Sequence, residues 1–151
     1  MITIKEGNIL EGNQDIIIHQ TNCLSVMGAG LAKQIRDKYP HVFTLYKQHC
    51  DVHKNDREKL LGQVLFVNTS DGKVIANAFG QLGFGRDKVQ TNYAALEAAL
   101  WKVKAYAIKN GLTVSLPRLL GCGLAGGDWN IVYELIEDVF HDYDVTIYKF
   151  K

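Results

Sequence analysis

Twice the chain runs from an apolar, strand-like segment through a glycine cluster into a helical pattern. The first passage is "DIIIHQTNCLSVMGAGLAKQIRDKYP", Asp15 to Pro40, and the second is "LTVSLPRLLGCGLAGGDWNIVYELIEDV", Leu112 to Val139. A strand that is apolar without alternation is covered on both faces, and helices following such strands supply the cover. Two of these passages in one chain require an α/β layered fold rather than a bundle or a β-sandwich.

The remaining segments fit the same plan. "MITIK" reads as a short strand, and "DVTIYKF" closes the chain as another. Leu31, Ile35 and Tyr39 recur at helical spacing over Gly28 to Lys38, and Pro40 is expected to stop that helix. A second helix is expected from His41 to Cys50, burying Val42, Leu45 and Tyr46. "QVLFVNTSDGKVIANAF" has the chemistry of a hairpin, with Asp71-Gly72 as a two-residue turn. Thr91 is placed to cap a long helix whose stripe is Tyr93, Leu96, Leu100, Val103 and Ala107, with Asn110-Gly111 ending it. Asp128 stands where an N-cap belongs, before a helix burying Val132, Leu135, Ile136 and Val139. No linker, low-complexity tract or internal repeat interrupts the 151 residues, so one domain is expected.

Composition narrows the partners. A formal net charge of +1 and 22% charged residues give no basic face for gripping nucleic acid, so a sequence-specific nucleic-acid partner is not expected. No apolar run reaches membrane-spanning length, and the N-terminus is a charged strand pattern rather than a secretion signal. Cys23, Cys50 and Cys122 have no disulfide spacing, which fits a reducing cytoplasm. His49, Cys50 and His53 lack a second ligand pair, so no metal is expected, and no motif calls for a cofactor.

Both glycine clusters fall where a strand's carboxyl end meets a helix N-terminus, the crevice in which open α/β sheets hold ligands. Glycines there let backbone N–H groups face an anion directly, and the helix dipole adds to the attraction. Two such loops facing each other suit a diphosphate. Gly28-Ala29-Gly30 is followed by Lys33 where a dinucleotide fingerprint needs glycine, and no "GK[ST]" occurs, which disfavours a classical dehydrogenase or a kinase.

Four stretches taken in order, "ITIKEGNIL", "IIIHQTN", "MGAGLAKQIRDKYP" and "LPRLLGCGLAGGDW", resemble a macrodomain. The nearest resemblance is to the branch that includes the terminal ADP-ribose protein glycohydrolase and the yeast-type ADP-ribose-1″-phosphate phosphatase. It runs from Ile2 to Phe150. The resemblance implies a three-layer α/β/α sandwich with a mixed, largely parallel sheet, and ADP-ribose or an ADP-ribosylated substrate as the partner. It matches Asn8 and Ile9 to the adenine-contacting acidic position and its neighbour, with the neutral Asn8 a weaker acceptor. It matches Asn22 to the distal-ribose asparagine. The diphosphate loops become Met27, Gly28, Ala29, Gly30 and Leu31, and Pro117, Arg118, Gly121, Cys122, Gly123 and Leu124, with Tyr148 and Phe150 at the adenine end.

The glycohydrolase branch implies a covalent lysine and an assisting aspartate after "GCGL". This chain has Gly80 or Gln81 and Ala125 at those places. Glutamine forms no imine and alanine moves no proton, so that route is not expected. His19, three residues before Asn22 at a strand end, is the candidate proton-transfer group, and Asn22 its companion. Asp128 is expected to cap its helix, and Cys122 to pack beneath the loop rather than act as a nucleophile. Arg86, Asp87 and Lys88, with Phe84, form either a solvated turn or a lid over the distal ribose. The expected activity is hydrolysis of an ADP-ribose derivative, and the alternative is a reader that binds ADP-ribose without cutting it.

Overall fold

A computed structural model describes residues 1–85 and 87–150. The central strand is β2 (Ile16–Thr21), its first four residues fully buried. Ile16 and Ile18 point into one apolar cluster and Ile17 into another, so the uninterrupted apolar run is explained by cover on both faces. β2 pairs in parallel with β4 (Val74–Phe79) and with β5 (Val114–Pro117). β6 (Val145–Lys149) and β1 (Ile2–Glu6) extend the sheet in parallel on one side, and β3 (Val64–Asn68) adds the antiparallel edge on the other. The order is β1-β6-β5-β2-β4-β3.

α1 (Gly30–Lys38) and α2 (Pro40–Val52) cover one face through Ile35, Tyr39, Val42 and Tyr46. α3 (Tyr93–Asn110) and α4 (Trp129–Val139) cover the other through Leu96, Leu100, Val103, Val132 and Ile136. Each such side chain contributes about 1.5–3 kcal/mol on burial. The result is the expected three-layer α/β/α sandwich with a mixed, largely parallel sheet.

Several local expectations change. α1 begins at Gly30, leaving Gly28 and Ala29 in the loop. Pro40 opens α2 instead of only closing α1, since a residue without an N–H is well placed in a first helical turn. Leu45 is 43% exposed, because α2 packs through Val42, Tyr46 and Cys50 on its other side. The hairpin turn holds three residues, not two. Thr69 and Lys73 pair at 2.8 Å, and the Thr69 hydroxyl and the Asp71 carboxylate tie the loop. Asn92, not Thr91, caps α3, accepting from the Ala95 N–H at 3.0 Å. Gly111, at φ 65, ends that helix in the left-handed region, as expected. Asp128 caps α4, accepting from the Asn130 N–H at 2.9 Å.

His19 and Asn77 face each other across the β2–β4 register. Asn77 Nδ2 donates to the Leu65 carbonyl at 3.0 Å, which turns its Oδ1 to His19 Nε2 at 2.6 Å. The imidazole is therefore neutral with its proton on Nε2. Burial pulls its pKa from 6.5 down to about 4, and the Asn77 bond offsets only part of that. Between those values the unfolded chain holds the extra proton and the native one does not, so acid destabilises the fold. Lowering the pH from 7 to 4 should remove stability on the order of 3 kcal/mol through His19. Urea unfolding across that range checks this, and His19→Gln should flatten the dependence by that amount.

Candidate functional site

At the carboxyl ends of β2 and β5 the two glycine loops and the segment after β4 enclose a cavity of about 580 Å³. That size falls within the range of small-molecule sites. Its walls are Gly28, Ala29, Gly30 and Leu31 on one side and Pro117, Arg118, Gly121, Gly123 and Leu124 on the other. Gln81, Phe84 and Gly85 close a third side, and His19, Gln20, Thr21 and Asn22 form the floor.

The walls present backbone donors. Ala29 stands at the N-cap of α1 without a side-chain cap bond, so the first-turn N–H groups of that helix face outward unfilled. In the second loop the amides of Gly121, Gly123, Leu124 and Ala125 have no hydrogen-bond acceptor among the described residues. Leu119 holds φ 67, a left-handed conformation costing a non-glycine residue about 1–2 kcal/mol. Strain of this kind concentrates at ligand sites. Among the described residues Arg118 is the one charged side chain in the lining, and no carboxylate borders it. The cavity attracts an anion and repels none.

The floor behaves differently from expectation. Asn22 spends its amide on its own loop: Oδ1 accepts from the Leu24 N–H at 2.9 Å and from the Tyr46 hydroxyl at 2.8 Å. Its Nδ2 donates to the Val26 carbonyl at 2.9 Å and keeps a second N–H. Ser25, at φ 68, completes the turn, and its hydroxyl donates to Asp51 on α2. His19 lies only 2% exposed, with Nε2 committed to Asn77 and Nδ1 buried without a partner. A neutral ring with both nitrogens inside the protein is poorly placed for proton exchange with a ligand. The geometry gives His19 the part of a sheet residue under the cavity.

Other expected site residues lie elsewhere. Met27 is buried among Cys23, Tyr46 and Phe79, so the chain passes through it to anchor Gly28. Asn8 turns its Oδ1 to the Leu10 N–H at 3.0 Å, capping the short turn Ile9–Glu11, and Ile9 enters the core. Tyr148 is buried with its hydroxyl on Gln14 at 2.6 Å, and Phe150 is 69% exposed. None of these five borders the cavity. Cys122 sits behind the loop, its thiol donating to the Leu120 carbonyl at 3.3 Å. Burial, with Asp128 nearby, pushes it up to about 11, which leaves it unreactive at neutral pH. Of the possible lid, Phe84 lines the cavity and is 56% exposed, whereas Asp87 and Lys88 border a shallower hollow beyond Leu124. Arg86 lies outside the described residues.

The sequence reading passed over Gln20 and Leu119. A glutamine inside "IIIHQT" is a polar residue in an otherwise buried ladder, and that was an available signal. Leu119 carries none, because nothing in a leucine announces a positive φ.

A family model described as Macro domain matches residues 18–136. A DNA ADP-ribosyl glycohydrolase of Mycobacterium tuberculosis is 30% identical over 155 residues, covering 98% of this chain and 42% of that protein. The chain thus spans less than half the length of that relative. ADP-ribose glycohydrolase OARD1 of Bos taurus is 31% identical over 151 residues, covering 97% of this chain and 88% of the relative. Among solved structures, the macrodomain of Mycobacterium tuberculosis DarG superposes with a TM-score of 0.81 at 29% identity, covering 98% of this chain and 97% of that one. With the sandwich, the paired glycine loops and these matches together, the chain belongs to the macrodomain family.

Proposed function

We propose that the cavity binds ADP-ribose through its diphosphate and that the protein hydrolyses an ADP-ribose derivative at the distal ribose. The observation that carries the reading is the donor set: one cavity is lined by second-loop residues whose amides have no acceptor among the described residues, by the uncapped first turn of α1 and by Arg118, with no carboxylate in the lining. Relatives named as ADP-ribosyl or ADP-ribose glycohydrolases support the ligand class and the hydrolytic outcome.

The same donor set bears on the chemistry. Gly80 or Gln81 falls where the branch has its lysine, Gln81 lining the cavity, and Ala125 stands in place of the aspartate, so a covalent lysine route is absent from the proposal. Neither a general acid nor a general base that titrates near neutrality borders the cavity among the described residues. The leaving group must then depart without a proton from the protein, which favours carboxylate and phosphate over amines and amides. The substrates that fit are ADP-ribose-1″-phosphate and ADP-ribose esterified to protein carboxylates through the anomeric carbon, whereas O-acyl-ADP-ribose fits only where its acyl group sits on the anomeric oxygen, because an ester on another hydroxyl would have to expel an alkoxide. Water attacks the anomeric carbon and releases its proton to solvent, the C–O bond breaks with its electron pair leaving on the departing carboxylate or phosphate, and orientation of the bound diphosphate supplies several kcal/mol of the barrier. Backbone amides aimed at a developing oxyanion add to that. Asn22 meets the distal ribose through its remaining N–H, and Phe84 packs over the sugar.

The competing reading is a reader that binds ADP-ribose without cutting it, and the absence of a titrating side chain from the lining favours it. Incubation with ADP-ribose-1″-phosphate and with carboxyl-linked mono-ADP-ribosylated protein separates the two. Turnover of either is the expected result, and calorimetric ADP-ribose binding with no turnover of any ester would leave only the reader.

A second prediction concerns the loop itself. A Cβ on Gly123 would meet nothing within 4 Å, so the fold has room for a side chain there. Gly123→Val should change stability by no more than about 0.5 kcal/mol. It should nonetheless weaken ADP-ribose binding by roughly tenfold or more, since the added bulk stands beside the diphosphate donors. Thermal unfolding and calorimetry on the same preparation check both halves.

A further inference from the structure

Two separate segments line the cavity beside Gln20, those of Gln81 and Gly121, and the Gln20 amide joins them, directly to the first and through Thr91 to the second. Gln20 Nε2 donates to Gln81 Oε1 at 2.8 Å and to Thr91 Oγ1 at 2.9 Å. Gln81 passes the chain on, its Nε2 donating to the Gly83 carbonyl at 2.7 Å. Thr91 does the same in the other direction, its hydroxyl donating to the Gly121 carbonyl at 2.5 Å. Both Gln20 Nε2 hydrogens and the Thr91 hydroxyl hydrogen are committed, and Gln81 is oriented by the Gly83 carbonyl, so the direction of the network is fixed. Turning the Gln20 amide over would set its oxygen against the Gln81 oxygen and against a hydroxyl whose hydrogen is already used. Gln20 Oε1 is left buried without a partner. An unpaired buried acceptor is unfavourable, and the two bonds made by Nε2 offset that cost.

The packing agrees with the hydrogen bonds. A Cβ on Gly80 would collide with Gln20 Oε1, and one on Gly121 would come within 2.8 Å of it. Gly121 also holds φ 70, where other residues are strained. Its carbonyl receives both the Thr91 hydroxyl and, at 2.9 Å, the Gly127 N–H. That matters for an anion: a carbonyl turned inward would place negative charge against a phosphate, whereas this one is held away by two donors.

We propose that Gln20 is a positioning residue which, acting through Thr91, keeps the Gly121 carbonyl off the bound diphosphate and, through Gln81, fixes the Phe84 segment over the same cavity. The proposal rests on the reading of the cavity as an ADP-ribose site. Because Gln20 acts through Thr91, the two side chains form one unit and their losses do not add.

The test is ADP-ribose affinity by calorimetry on folded Gln20→Leu, Thr91→Val, the double variant and Thr91→Ser. Each of the first two should lose about tenfold, and the double variant about the same tenfold rather than a hundredfold. Thr91→Ser keeps the hydroxyl and should bind like the unaltered protein. A change within twofold for both single variants, or losses that multiply in the double, would overturn the proposal. So would Thr91→Ser binding as weakly as Thr91→Val, because then the methyl contact and not the hydroxyl is at work. If Gln20→Leu does not fold, the Thr91→Val and Thr91→Ser pair decides alone. Absence of ADP-ribose binding by the unaltered protein overturns the cavity reading together with this one, whereas binding that Gln20 and Thr91 do not influence overturns this one alone.

Discussion

Backbone N–H groups that lack a protein partner are costly when buried, and they are useful only when they are aimed. Among the described residues the cavity keeps such groups in two places, the first turn of α1 and the amides of Gly121, Gly123, Leu124 and Ala125. Much of the surrounding architecture serves to hold them there. β2 is covered on both faces, so its carboxyl end is rigid where the first loop leaves it. Asn22 folds that loop on itself, and Tyr46, Ser25 and Arg57 tie it to the α2 side, the Arg57 guanidinium donating to the Cys23 carbonyl at 2.7 Å. The second loop is closed by Gly127 donating to Gly121 and by Asp128, whose cap starts α4 at a fixed point. A loop built this way loses little entropy when a ligand arrives, which is where a preorganised site gains its affinity.

The layered fold was legible because its signals are local and redundant. An unbroken "III", a helix stripe at Leu96, Leu100 and Val103, and the cap residues Asp128 and Gly111 each point to one conformation. The errors fell where two choices are nearly equal in energy. Thr91 and Asn92 are both competent caps, and the tie is broken by a partner thirty residues away, because the Thr91 hydroxyl is already bound to Gly121. Asp71-Gly72 is a good two-residue turn in isolation, yet Thr69 and Lys73 pair across it and lengthen the loop.

The site was legible in part for the same reason. Glycine clusters after strands are a sequence signal, and Gly28, Ala29, Gly30, Gly121 and Gly123 do line the cavity. Side-chain roles were harder, because they depend on what lies across the sheet. His19 looks like a poised imidazole at a strand end until Asn77 is seen opposite it, itself oriented by the Leu65 carbonyl. Asn8 looks like a ligand contact until its Oδ1 is found on the Leu10 N–H. His19 is committed to the fold by a partner across the sheet, which no spacing within one segment records, whereas Asn8 uses one acceptor site of its amide as a local cap.

The replacement of a charged pair by Gln81 and Ala125 has a consequence beyond the missing nucleophile. A carboxylate in that cavity would oppose the diphosphate while stabilising positive charge at the anomeric carbon. Ala125 contributes only its backbone: its carbonyl accepts from the Gln90 N–H at 2.8 Å, and its own N–H adds to the donors. Gln81, neutral, can join the network of Gln20 and Thr91, which a lysine with no acceptor could not do in the same direction. On the proposed reading, a neutral residue and a backbone donor stand where a charged pair would be, and the lining is more uniform toward an anion. On the reading proposed above, catalysis without a titrating side chain rests on backbone amides beside the departing group and on a leaving group that is already stable as an anion, and that requirement selects carboxylate-linked and phosphate-linked ADP-ribose over amine-linked forms.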